Sequence, residues 1–177
     1  MTIRFGIALG LVAVLGFAPA VTFAQSAAMD KKFVADALQA AMAEVELGTL
    51  AGEKASSDAV KQFGKRMAEE HAKAGEALKT LAQTKGIRPP AEIDQPHSWL
   101  RDKLAKLSGA AFDRRYVSEM VKDHKKDVRT FQHAAGKAKD PDVKAFAAKT
   151  VPMLQQRLKQ IEALHAQLQG TAKTDKK

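Results

Sequence analysis

The chain has no cysteine in its 177 residues. That absence excludes disulfides, thiolate catalysis, iron–sulfur ligation and covalently attached c-type haem. It also removes the residue on which a bacterial lipoprotein anchor is built. Aromatic side chains are few, with one Trp and one Tyr, and they are not gathered with Lys or Arg in the way that nucleic-acid surfaces require. Strand-like alternation is missing, and Val and Ile are too sparse for a sheet. There is no nucleophile elbow, Gly-rich phosphate loop or zincin motif.

One long apolar run exists, Phe5 to Phe17 behind Arg4. It is shorter than the ~20 residues that span a bilayer, and it reads as a secretory signal peptide, residues 1–24. Thr22 and Ala24 suit the −3 and −1 positions, which places the cut after Ala24; Ala18 and Ala20 offer a second site. The mature chain is expected to be periplasmic or exported, with no transmembrane segment. It is long enough for one domain with a real core. Without disulfides, packing alone must hold it, which favours a helical bundle.

Charge is mainly basic. The net +9 becomes +8 without Arg4. Basic residues are spread over helix backs and the tail (Lys173, Lys176, Lys177), so nucleic acid is not an expected partner. Outside the cytoplasm, the anionic partner that such charge suits is the envelope surface.

Helical periodicity marks four long segments: Met29–Ala55, Ser57–Lys85, Ala110–Ala135 and Pro141–Gln169. Ser56-Ser57-Asp58 joins the first pair tightly, with Ser57 as candidate N-cap. Lys139-Asp140-Pro141 joins the second, with Asp140 as N-cap and Pro141 at the first helical position. Tight joints make antiparallel hairpins. Between them lie about two dozen residues holding Gly86, Pro89, Pro90 and Pro96, then a short helix near Ser98–Leu107. This predicts an all-α, ferritin-like four-helix bundle over residues 25–170: two antiparallel hairpins joined by a long crossover that contains a short helix. Residues 171–177 are expected to be a disordered basic tail. Val60-Lys61-Gln62-Phe63 and Val143-Lys144-Ala145-Phe146, 83 residues apart, suggest a duplicated helix pair.

Each helix carries a polar residue inside its apolar stripe: Glu44, His71, His124 and Arg157, with Asp127 one turn from His124. All lie near the midpoints of their helices, so in a bundle they should meet at one height. Bare burial of such groups costs a few kcal/mol, so they must be hydrogen-bonded, paired or bound to a metal. Two chemistries fit. Glu44, His71, His124 and Asp127 could ligate a transition metal ion such as iron, manganese, zinc or copper. Alternatively Arg157 pairs with Glu44 or Asp127, and the histidines bond across in a closed network that sets register. Arg157 weighs against a metal, because a guanidinium donates no lone pair. Glu70-His71 and Asp123-His124 are adjacent pairs that diverge by ~100° and cannot chelate together, so a dinuclear oxidase is not expected. Met42, Met67 and Met120 read as core filler, and His97 and His133 as solvated.

Several segments resemble the domain-of-unknown-function family 4142. They are Ala43-Glu44-Val45-Glu46-Leu47-Gly48, Phe63 through Met67 to His71, Ser108 through Asp113 with Tyr116, Met120 to His124, and Ala147-Ala148-Lys149-Thr150-Val151-Pro152. The resemblance covers about residues 31–168. It implies a ferritin-like fold and export in bacteria, with no settled activity. In that family a His pair typically follows the Pro-containing segment of the last helix, where this chain has Gln156 and Arg157. If the family binds metal through that histidine, this chain has altered the site. The expected function is a non-enzymatic, stress- or envelope-associated binding or interaction module. The alternative is a metal-binding bundle with redox activity.

Overall fold

A computed structural model describes residues 20–174, with side chains for residues 25–170. The described part is all-helical: α1 (Ala20–Lys54), α2 (Asp58–Thr84), α3 (Gln95–Ala105), α4 (Gly109–Lys137) and α5 (Pro141–Thr174), with no strand among the described residues. The expected signal peptide falls mainly on residues 1–19, outside that part. The last helix continues through Gly170 to Thr174 rather than yielding to a disordered tail at 171. Gly170 has no positive φ to break it, and Thr171-Ala172-Lys173 contains no helix breaker.

α1 packs along α2, and α4 along α5. Within the first pair a Cβ on Gly48 would meet Gly64 O and Ala68 N, one on Gly52 would meet Lys65, and one on Gly75 would meet Ala41. Rising numbers on one helix face falling numbers on the other, so the pair is antiparallel. Backbone approach is closest at Gly48 and Gly64, where an added Cβ would lie 2.6–2.7 Å from atoms of the facing helix. α2 ends in a Schellman motif, with Ile87 N–H on Ala82 O and Gly86 N–H on Gln83 O, and Gly86 supplies the positive φ of 65°.

Two buried aspartates stitch the pairs together. Asp113 of α4 accepts from Ser56 N–H at 3.0 Å and Ser57 N–H at 2.8 Å, at the α1–α2 joint. Asp30 of α1 accepts from Lys139 N–H at 2.9 Å and Asp140 N–H at 2.7 Å, at the α4–α5 joint. Donors and acceptors in the two clasps are 83 residues apart, the spacing of the Val-Lys-x-Phe repeat, and Glu44 and Asp127 share it (127 − 44 = 83). Ser57 sits at the N-cap without a side-chain cap bond, and its N–H is held by Asp113.

The crossover runs alongside α1: Gln39 bonds Asp94 N–H, Arg101 pairs with Glu46, and Lys54 reaches Ala105 O. Leu104 is fully buried beneath it and Leu100 and Leu107 pack at its edge. Trp99 is 57% exposed and lies under the Lys103 ammonium.

Candidate functional site

The core consists of two apolar clusters. One is built around Leu47, Phe63, Met67, Phe112, Tyr116, Met120 and Ile161. The other is built around Val34, Leu38, Leu78, Val128, Phe131 and Leu154. Along every long helix the boundary between them is a polar residue: Glu44 between Ala41 and Leu47, His71 between Met67 and Leu78, His124 between Val121 and Val128, and Arg157 between Leu154 and Ile161. All four are buried, and Asp127 is half-buried one turn from His124.

Contacts within the layer differ from the closed network that the sequence allows. Arg157 turns away from Glu44 and Asp127. Its Nη2 pairs with Glu70 on the α2 flank and its Nη1 lies 3.3 Å from Met67 Sδ. Geometry explains this choice, since α5 faces α2 and Glu70 is half-exposed, so one partner stays hydrated. His71 and His124 meet edge to face, with ring centroids 6.1 Å apart, and share no hydrogen bond. His124 Nδ1 lies 2.9 Å from Met120 O. A carbonyl only accepts, so Nδ1 carries the proton and Nε2 presents a lone pair. Glu44 Oε2, His71 Nε2, Tyr116 OH and His124 Nε2 are buried without a hydrogen-bond partner among the described residues.

Electrostatics follow from burial. Desolvation, with His124 as neighbour, pushes His71 down to about 3, and desolvation also lowers His124. Both imidazoles are therefore neutral at pH 7. Glu44 is held well above the usual carboxylate range, first by burial and then by Asp127 and Asp123, with Arg157 opposing. Burial and then Asp123 push Asp127 up to about 6. Tyr116 is raised by burial and by Glu44.

Among the described residues no three His, Asp or Glu side chains are gathered closely enough to hold a metal ion. Glu44, His71, His124 and Asp127 share a level without forming a ligand sphere. Glu44 and Asp127 instead line a cleft of about 340 Å³ between α1, α4 and the crossover, together with Asp123, Asp94 and His97. His97, expected in solvent, is half-buried there, with its N–H on Asp94 Oδ1 at 3.1 Å and its ring Nδ1 against the same oxygen. Asp94, which caps α3, and Asp123 lie on no apolar stripe, so helical periodicity does not mark them as lining a site. An i, i+4 carboxylate pair, Asp123 and Asp127, was the available signal. His133 is exposed, as expected.

The arrangement defines a helical protein with an internal polar layer that opens on one side into an acidic cleft. Solved structures of similar fold are a DUF305 fragment from Deinococcus radiodurans (TM-score 0.68, 15% identity, covering 78% of this chain and 95% of that one) and a DUF305 protein from Streptomyces coelicolor described as secreted (0.66, 16%, 78% and 93%). CopM in its Cu(II)-bound form is another (0.65, 19%, 78% and 96%). At these identities the likeness is one of fold. No curated protein matches the chain. The chain belongs to the domain of unknown function family DUF4142, whose pattern matches residues 17–164.

Proposed function

We propose that this chain is an exported, ferritin-like four-helix bundle that acts without catalysis, as a binding module whose seat is the mid-height polar layer. The observation that carries this reading is the set of four buried, unpartnered polar atoms. Each unsatisfied group costs about 1–3 kcal/mol, whereas a purely structural network would close on itself. Such a cost in the free chain is what a site incurs when its partner comes from outside. Export is supported by the basic and apolar opening of the sequence and by the likeness to a secreted protein. Among the described residues no helix is long and apolar enough to cross a membrane.

The test is to replace the layer with apolar residues. A Glu44→Leu/His71→Leu double variant is expected to fold and to raise the urea midpoint, because the layer serves binding at the expense of stability. A double variant that loses its cooperative transition would show the layer to be a structural requirement and would overturn the reading.

A second reading is a transition metal ion in the layer, favoured by the two imidazole lone pairs. CopM, of similar fold, is known in a Cu(II)-bound form. The donor types suit copper, zinc, iron or manganese; their positions do not form a ligand sphere without movement of His71 or Glu44. Elemental analysis of protein purified without chelator decides it. Stoichiometric metal that disappears in His71→Ala and His124→Ala supports this reading, and metal-free protein removes it.

A further inference from the structure

The cleft on the α1–α4 side holds more negative charge than its own cations neutralise. Five carboxylates line it, from Asp36, Glu44, Asp94, Asp123 and Asp127, against Lys32, Lys126 and His97. Lys32 is engaged with Asp36 at 2.7 Å, and His97 with Asp94. Glu44, Asp123 and Asp127 make no hydrogen bond or ion pair among the described residues. This surplus of acid sits in a protein whose net charge is +9. Asp123 and Asp127 are one helical turn apart, where like charges destabilise the helix. Lys126 tempers both only through space. At the floor lies Glu44, 4% exposed, with Oε2 unpartnered. A buried carboxylate oxygen without a donor, facing two further unpaired carboxylates, is a site for a cation.

The shape of the cleft selects the kind of cation. Among the described residues no three acidic or imidazole side chains converge on a point, so a bare metal ion would lack an inner shell. The carboxylates come from α1, α4 and the crossover, and Ala37, Ala40 and Phe131 line the cleft with them. Apolar strips between anionic groups match methylenes between ammonium groups, with stems along the alanines and heads on the carboxylates. About 340 Å³ has room for roughly ten heavy atoms at ~30 Å³ each.

We propose that this cleft binds an organic cation with two or more ammonium groups on an alkyl chain, a diamine or polyamine, through Glu44, Asp123 and Asp127. The proposal rests on reading the polar layer as a binding seat and gives its acidic flank a ligand class.

Isothermal titration of the full mature chain with 1,4-diaminobutane and spermidine, with butylamine and MgCl2 as comparators, tests it. Both polyamines are expected to bind one to one, at least tenfold more tightly than butylamine and without displacement by equimolar magnesium. Asp123→Asn and Glu44→Gln should each weaken spermidine tenfold or more, whereas His133→Ala, at an exposed residue outside the cleft lining, should change it less than threefold. Circular dichroism checks that each variant is folded, and Asp123, being half-exposed, keeps the test valid if Glu44→Gln unfolds. No polyamine binding, equal binding of butylamine, or insensitivity to Asp123→Asn overturns the proposal. Tighter binding of magnesium at the same carboxylates also overturns it, in favour of a hydrated divalent ion. If spermidine fails while a metal binds dependent on His71, the cleft proposal falls and the layer remains a binding seat. If both fail and the apolar double variant does not fold, the layer reading falls too.

Discussion

Replacing Asp127 with Asn should stabilise the protein at neutral pH and leave it unchanged in acid. Asp127 is half-buried in the cleft, where desolvation and Asp123 push its carboxyl from 3.8 to about 6, with Lys126 and His97 opposing. The folded state thus binds the Asp127 proton more tightly than the unfolded chain does. For a carboxylate raised in this way, the associated stability is present below about pH 4 and is lost as pH rises to about 6. A shift of about two units at 1.36 kcal/mol each amounts to roughly 3 kcal/mol. Asn keeps the shape and removes the charge; it also takes one like charge away from Glu44 across the cleft. The variant's gain over wild type should therefore be near zero at pH 4, grow between pH 4 and 6, and level off at about 3 kcal/mol by pH 7.5. For a chain of this length that corresponds to a rise in Tm of roughly 6–12 °C. Urea unfolding of both proteins at pH 4, 5, 6 and 7.5 measures it. A gain of the same size at every pH, or a less stable variant at pH 7.5, would refute the account of the cleft as a cluster of uncompensated carboxylates.

His71 should show the opposite dependence. Its imidazole is lowered from 6.5 to about 3, so the stability linked to it is complete above pH 6.5 and is lost as pH falls toward 3, up to about 5 kcal/mol. His71→Leu should accordingly resist acid unfolding near pH 4, and an unchanged acid midpoint by circular dichroism would contradict this. Gly64→Ala would place a methyl 2.6 Å from Ala51 Cβ and 2.7 Å from Gly48 O, and should destabilise by about 1–3 kcal/mol through separation of α1 from α2. Thermal unfolding that is unaltered in this variant would show that the two helices do not approach so closely.

Much of this organisation is legible in the primary structure, for reasons that can be stated. Asp140 bonds Asp142 N–H and Val143 N–H as an N-cap should, because a capping bond is made within four residues and needs no tertiary information. Glu44, His71, His124 and Arg157 are each buried, because each is flanked on both sides by apolar residues of the same stripe. The stripe fixes which face is buried. The Val-Lys-x-Phe repeat carries the 83-residue spacing that reappears in the Asp30 and Asp113 clasps. Those clasps themselves were not foreseen: an aspartate on an apolar face says that it needs donors, and nothing local says that they lie at the far joint.

The sequence by itself determined the helices, their joints and the existence of a polar layer, since these follow from propensity, capping and the 3.6-residue period. Tertiary structure alone decided what the layer does. Arg157 pairs with Glu70 rather than with Glu44 or Asp127, and the crossover brings Asp94 and His97 beside Asp123 to close a cleft from residues that belong to no apolar stripe. A helical wheel gives the direction of a side chain about its own axis. Which neighbour it meets, and how much water remains there, depends on the packing of other helices, and that packing sets the desolvation and charge that make the cleft acidic.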